Sequence, residues 1–161
     1  MLSRPRLRIV EVGPRDGLQN EARSVPVKAK VAFIEALAEA GLGEVEAGSF
    51  VSPAAVPQMA DSDRVFGLLW RKAGVIFSAL VPNEKGLERA LAAGVNKVAV
   101  FTAASETFNR RNINATLAES LLRFHPVITS AKQAGLPVRG YVSTAFHCPF
   151  EGPVPPERAA A

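Results

Sequence analysis

Short β-branched runs take turns with longer stretches of helical period along nearly the whole chain, and this alternation leaves few folds open. Runs separated by a helix's length of residues cannot fold back as hairpins; they build βα units that feed a parallel sheet. Leu7 to Val12 reads as the first strand. Pro26 opens a helix to about Ala40, with Val31, Ile34, Leu37 and Ala38 at helical spacing, and a short strand from Glu44 to Ala47 follows. Asp61 to Lys72 is expected to be helical, with a capping Asp and Val65, Leu68 and Leu69 on one face. Val75 to Val81 is the third strand, Glu84 to Ala93 a helix and Lys97 to Phe101 the fourth strand. Leu117 to Ala134 is a long amphipathic helix and Val138 to Ser143 the fifth strand.

Three helix ends share a form, Ala40-Gly41-Leu42, Ala93-Gly94-Val95 and Ala134-Gly135-Leu136, each a few residues before a strand. A glycine there turns the chain back under the sheet, which favours a (β/α) barrel over a two-layer α+β fold. The expected class is therefore α/β: a partial TIM (β/α)8 barrel holding about the first five strands and four helices, not closed. Pro155-Pro156-Glu157-Arg158 reads as the start of one more helix. Five strands cannot close an eight-stranded barrel, so residues 1–161 are read as the N-terminal part of one barrel domain, truncated after strand five. A homodimer through the open edges is the alternative way to cover them.

Composition narrows the partners. Nineteen Lys and Arg against fifteen Asp and Glu give a net charge of +4, but the cations are scattered, which argues against nucleic acid and for a polyanionic small molecule. The single cysteine, Cys148, excludes an internal disulfide and makes a reducing cytoplasm the default location. No apolar run reaches membrane-spanning length, so no membrane partner is expected.

Chemistry concentrates after the first strand, in Val12-Gly13-Pro14-Arg15-Asp16-Gly17-Leu18-Gln19-Asn20-Glu21. Strand ends are where barrels carry catalytic groups. Asp16 offers a hard oxygen ligand for Mg2+ or Mn2+, and Arg15 a fixed cationic fork for a developing enolate. Gly13 and Gly17 are expected to permit the tight turn that aims both inward. A surface turn held by a salt bridge is the alternative on spacing alone. Glu11 and Arg139, inside apolar strands, are expected to form a buried ion pair that fixes register. His125, before Pro126, reads as a surface or packing group; His147, after the fifth strand, is weighed as a metal ligand against a surface group.

The string VEVGPRDGLQNE closely resembles the first-strand motif of hydroxymethylglutaryl-CoA lyases, within the wider metal-dependent aldolase and Claisen-type barrel family. The likeness continues through Gly48-Ser49-Phe50-Val51-Ser52-Pro53 and Val56-Pro57-Gln58-Met59. It runs on through Ala103-Ala104-Ser105-Glu106 with Asn112-Ile113-Asn114, and Arg139-Gly140-Tyr141-Val142-Ser143 with Cys148-Pro149-Phe150-Glu151-Gly152. The resemblance implies cleavage of 3-hydroxy-3-methylglutaryl-CoA to acetoacetate and acetyl-CoA on a divalent metal, as in leucine degradation. Carried over by position, Asp16 is a metal ligand, Arg15 the enolate stabiliser and Glu46 an active-site carboxylate. Gln19, Arg111, Asn112 and Tyr141 are candidate substrate contacts, with Arg111 and Asn112 near the CoA moiety. The family's His-x-His pair, its Asn ligand and its catalytic cysteine in a glycine-rich loop have no counterpart here, so the metal site is incomplete and the chain alone is expected to be inactive. Cys148 lacks that glycine-rich setting. Another aldolase or acyl-transferring synthase of the same superfamily, and a non-catalytic half-barrel assembly module, are the competing readings.

Overall fold

The computed structural model describes residues 7–160. Its centre is a four-stranded parallel sheet in chain order: β1 (Glu44–Ser49), β2 (Ile76–Leu80), β3 (Lys97–Ala103) and β4 (Val138–Ser143). Each strand returns through helices: α1 (Val27–Glu39) precedes β1, α2 (Ser62–Leu68) joins β1 to β2, and α3 (Glu84–Ala92) joins β2 to β3. Two helices, α4 (Glu106–Ile113) and α5 (Leu117–Gln133), join β3 to β4. A small antiparallel hairpin, β5 (His147–Cys148) with β6 (Gly152–Pro153), and a short α6 (Pro156–Ala160) follow.

The glycines of the repeated helix ends behave as their positions demand: Gly41, Gly94 and Gly135 all sit at positive φ, between 70° and 95°. A fourth turn of the same form, Ala73-Gly74-Val75, feeds β2 with Gly74 at φ 80°. One face of the sheet packs against the helices. Val45, Ala47, Phe77, Ala79, Val98 and Val100 meet Ile34 and Ala38 of α1, Phe66 of α2, Leu87 of α3 and Phe124 and Val127 of α5. The alternate residues of the strands, Glu44, Glu46, Lys97, Arg139 and Tyr141, lie off that core and are joined by polar contacts on the other face.

Several expectations need correction. The segment Leu7 to Val12 does not form a regular strand: only Glu11 pairs, bridging to Val45 through Glu11 N–H to Glu44 O and Glu46 N–H to Glu11 O. Leu7 and Ile9 are exposed, because this segment has β1 on one side and no strand on its other side among the described residues. The helix expected to reach Lys72 ends at Leu68, where Leu69 turns extended to bury its side chain. Trp70 N–H then bonds Glu35, and the Arg71 guanidinium caps the carbonyls of Ala93 and Gly94. Asp61 makes no side-chain cap; its carboxylate is taken by Lys30.

Between β3 and α5, where the sequence reading gives no element, the chain forms a helix, α4, capped by Ser105 Oγ accepting from Phe108 N–H. It ends at Asn114 in the left-handed region, φ 50°. Arg139 does not pair with Glu11 but with Glu44, at 3.4 Å. Glu44 is almost completely buried and also binds Lys97 at 2.9 Å and Arg8 at 3.1 Å. Glu11 instead accepts the Gly13 N–H at 2.7 Å. No helix among the described residues is long and apolar enough to cross a membrane.

Candidate active site

The expected Gly13–Gly17 turn is a single π-helical turn between the Glu11 bridge and the run toward α1. Arg15 and Asp16 N–H both reach back to Val12 O, which throws the two side chains toward the upper end of the sheet. Neither glycine has positive φ. Gly13 is needed for a different reason: a Cβ there would stand 2.8 Å from the Glu11 carboxylate oxygen that holds its amide. A Cβ at Gly17 would meet nothing within 4 Å.

Arg15 is nearly buried and its guanidinium is divided between two carboxylates. Nε donates to Glu46 Oε1 at 2.5 Å and Nη1 to Asp16 Oδ1 at 2.7 Å. Glu46 is fully buried, and its second oxygen accepts from the Tyr141 hydroxyl at 2.7 Å. Glu46 sits in the middle of β1, the third of that strand's six residues and not at its end, just before a register shift between Glu46 and Gly48. Burial first, then the hydrogen bond to Glu46 and its charge, push the Tyr141 hydroxyl up to about 12. Tyr141 is thus a neutral donor across the ordinary pH range, not a base. Asp16 is half exposed, and its Oδ1 also accepts from Gln19 Nε2 at 2.9 Å.

Above this cluster lies an open cleft of about 1080 Å³. Arg15, Asp16, Gln19, Arg111 and Asn112 all line it, so five of the seven sequence candidates share one surface. Glu46 and Tyr141 do not line it: they stand beneath, behind Arg15. Among the lining residues that the sequence did not single out are Asn20 and Arg123. Asn20 holds the Asp16 carbonyl through Nδ2 at 2.7 Å, and Arg123 reaches from α5 to the carbonyls of Ile113 and Asn114 that end α4. Asn20 lay within the motif itself; Arg123 is one basic residue on a long amphipathic helix and carries no sequence signal.

Asp16 fits as one oxygen ligand of a divalent cation, at the cleft and beside a fixed guanidinium. Among the described residues no group of three or more His, Cys, Asp or Glu side chains is placed to hold a metal ion. His147 is exposed, in β5 opposite Pro153, and His125 is exposed on α5.

A family model described as HMGL-like matches residues 6–160. The chain belongs to the HMGL-like family. It is 51% identical, over 155 residues, to the 3-hydroxy-3-isohexenylglutaryl-CoA/hydroxy-methylglutaryl-CoA lyase of Pseudomonas aeruginosa, matching 96% of this chain and 52% of that protein. It is 53% identical to the cytoplasmic 3-hydroxy-3-methylglutaryl-CoA lyase of Danio rerio, matching 94% of this chain and 45% of that one. The crystal structure of the P. aeruginosa hydroxymethylglutaryl-CoA lyase superposes with a TM-score of 0.92 at 52% identity, over 95% of this chain and 51% of that one. An HMG-CoA lyase from Acinetobacter baumannii, in complex with coenzyme A and 3-methylmalate, superposes at 0.91 with 38% identity, over 96% and 50%. The chain spans about half the length of the HMGL-like relatives it matches. Its open parallel sheet is accordingly about half of their TIM barrel.

Proposed function

We propose that these residues form one half of the active site of an acyl-CoA lyase that cleaves 3-hydroxy-3-methylglutaryl-CoA to acetoacetate and acetyl-CoA. The observation that carries this reading is the Arg15 guanidinium, buried, pinned by Glu46 and Asp16, and still lining the cleft that holds Arg111 and Asn112.

In that cleavage the C3 hydroxyl loses its proton, the C2–C3 bond breaks, and its electron pair passes to C2 as the thioester enolate, which a proton then quenches. C3 becomes the ketone of acetoacetate. Arg15 serves the enolate: with Nε and Nη1 committed, Nη2 is the part of the fork left to meet the thioester oxygen as it gains charge. Glu46 acts through Arg15, holding the guanidinium so that no reorganisation is needed when charge develops, and Tyr141 holds Glu46. The base that takes the hydroxyl proton is none of these three. Arg15 is a cation, Glu46 is enclosed and committed, and Tyr141 keeps its proton to about pH 12. A divalent cation, with Asp16 as one ligand and the rest from the other half of the barrel, would lower the hydroxyl pKa when bound. Whether that ion is Mg2+ or Mn2+ is set by ligands outside these residues.

Arg111 and Asn112, on the exposed side of α4, face the cleft where a CoA thioester would lie, and Gln19 stands beside Asp16. We place the protein in the cytoplasm, in line with its single unpaired cysteine; relatives include both cytoplasmic and mitochondrial forms. A homodimer of this half-barrel through the edge of β4, where Val142 is exposed, is the arrangement that competes with a completed barrel, and light scattering would read it as twice the chain mass. The test of the main reading is cleavage of the CoA thioester by the enzyme with its barrel complete, beside an assay of condensation with 2-oxo acids. Cleavage that falls about a thousandfold in kcat for Arg15→Met supports it; condensation without cleavage would assign the chain to another branch of the superfamily.

A further inference from the structure

The string Cys148-Pro149-Phe150-Glu151-Gly152 takes no part in the Arg15 cluster, yet its side chains are committed to one neighbour, α4. Cys148 Sγ lies 2.9 Å from Ser105 Oγ, the same hydroxyl that caps α4 through the Phe108 N–H. Glu151 Oε1 accepts the Thr107 N–H at 2.7 Å, in the first turn of α4, and its Oε2 is held by Arg158 at 3.1 Å. The Phe150 ring lies 6.2 Å from that of Phe108 and directly against Arg111, whose guanidinium carbon is 4.2 Å from the ring centroid.

Arg111 is exposed, and a long exposed cation ordinarily spreads over many rotamers. Stacking on an aromatic face fixes the guanidinium plane and leaves its N–H edge open to an anion. That edge belongs to a residue lining the cleft. We propose that the hairpin is a clip on α4 and that Phe150 is a positioning residue, holding Arg111 for the phosphate-bearing end of an acyl-CoA. The proposal rests on the lyase reading for its ligand, and adds a role for a residue that does not line the cleft.

The experiment is kinetics and CoA binding on the complete enzyme, comparing Phe150→Leu, Phe150→Tyr and Arg111→Ala. The substrates are the CoA thioester and the same acyl group on N-acetylcysteamine, which has no phosphates. Phe150→Leu is expected to raise KM for the CoA thioester, and Kd for CoA by calorimetry, about three- to tenfold, with kcat within about twofold. The N-acetylcysteamine thioester is turned over as by the unaltered enzyme, and Phe150→Tyr, which keeps the stack, restores KM. Phe150 is half exposed, so these changes leave the core untouched. Equal losses on both substrates would show a general structural role and overturn the proposal. So would an unchanged KM and Kd in Phe150→Leu while Arg111→Ala raises both. If the enzyme binds CoA but cleaves nothing, the lyase reading falls while the clip is still decided by Kd.

Discussion

Replacing Glu46 by Gln removes one charge from the most enclosed part of the site and leaves its shape. Glu46 is fully buried and binds Arg15 Nε at 2.5 Å and the Tyr141 hydroxyl at 2.7 Å. Breaking a buried pair by removing one partner costs about 3–5 kcal/mol. Arg15 retains Asp16 at 2.7 Å, and the amide oxygen of Gln can still accept one of the two bonds, so the expected loss is about 2–3 kcal/mol in denaturant unfolding. A second reading comes from Tyr141, the protein's single tyrosine, whose ionisation is therefore read without overlap from tyrosinate absorbance. Its hydroxyl is pushed up to about 12 by burial, then by the bond to Glu46 and its charge. Glu46→Gln removes the charge and leaves the burial, so Tyr141 should titrate between about 10 and the unaltered value. A folded-state value raised in this way contributes stability that is present below about pH 10 and lost as pH rises toward about 12. A native tyrosine titrating near 10, or a Gln variant that shifts neither stability nor titration, would refute the arrangement.

Gly86→Ala should cost about 2 kcal/mol, because the new Cβ would stand 2.7 Å from the backbone oxygen of Phe50; Gly67→Ala, on an exposed turn of α2 with nothing within 4 Å, should gain about 0.5–1 kcal/mol. Thermal unfolding of the two variants checks the contrast in sign. Lys30 is buried on α1 and holds both the Gln58 carbonyl and Asp61, fastening a segment that lines the cleft. Lys30→Met should lower stability by about 2 kcal/mol and speed amide exchange at Met59 and Ala60 before the sheet is affected. Asn83→Ala removes the cap on α3, where Asn83 Oδ1 accepts from Gly86 N–H at 2.9 Å, and should cost about 1 kcal/mol in the same unfolding measurement.

Periodicity made β1 to β4 and the helices α1, α3 and α5 legible because each buries an apolar stripe or face. Leu7 to Val12 has strand composition, but pairing depends on neighbours, and one-sided pairing leaves only the Glu11 bridge. The opposite failure is α4: its one buried side chain is Asn109, so it carries no apolar stripe to read. Caps hold it instead, Ser105 at the start and Asn114 at the end. In the site, Arg15, Asp16 and Gln19 are neighbours in sequence and were found together. The Glu46–Tyr141 bond spans 95 residues, and nothing local to either position announces it. Arg139 shows the same limit, since its true partner, Glu44, is distant in sequence and a choice between Glu11 and Glu44 turns on which face each presents.

Glu44 and Glu46, two apart on β1, both turn to the interior and are both almost completely buried and paired, so burial alone does not say which serves the reaction. Their partners do. Glu44 is bound by Lys97 and Arg139, rooted at the starts of β3 and β4, and by Arg8; it ties strands together at the end of the sheet away from the cleft. Glu46 is bound by Arg15, rooted in a turn, whose guanidinium lines the cleft. Gln at position 44 leaves three cations around an uncharged amide and should cost stability of the same order as Gln at 46. It should leave kcat of the complete enzyme within about twofold, because none of its partners lines the cleft. Gln at position 46 frees Arg15 to move and should lower kcat by about tenfold or more. Equal kinetic losses at the two positions would mean that the pairing holds the barrel and does not aim Arg15.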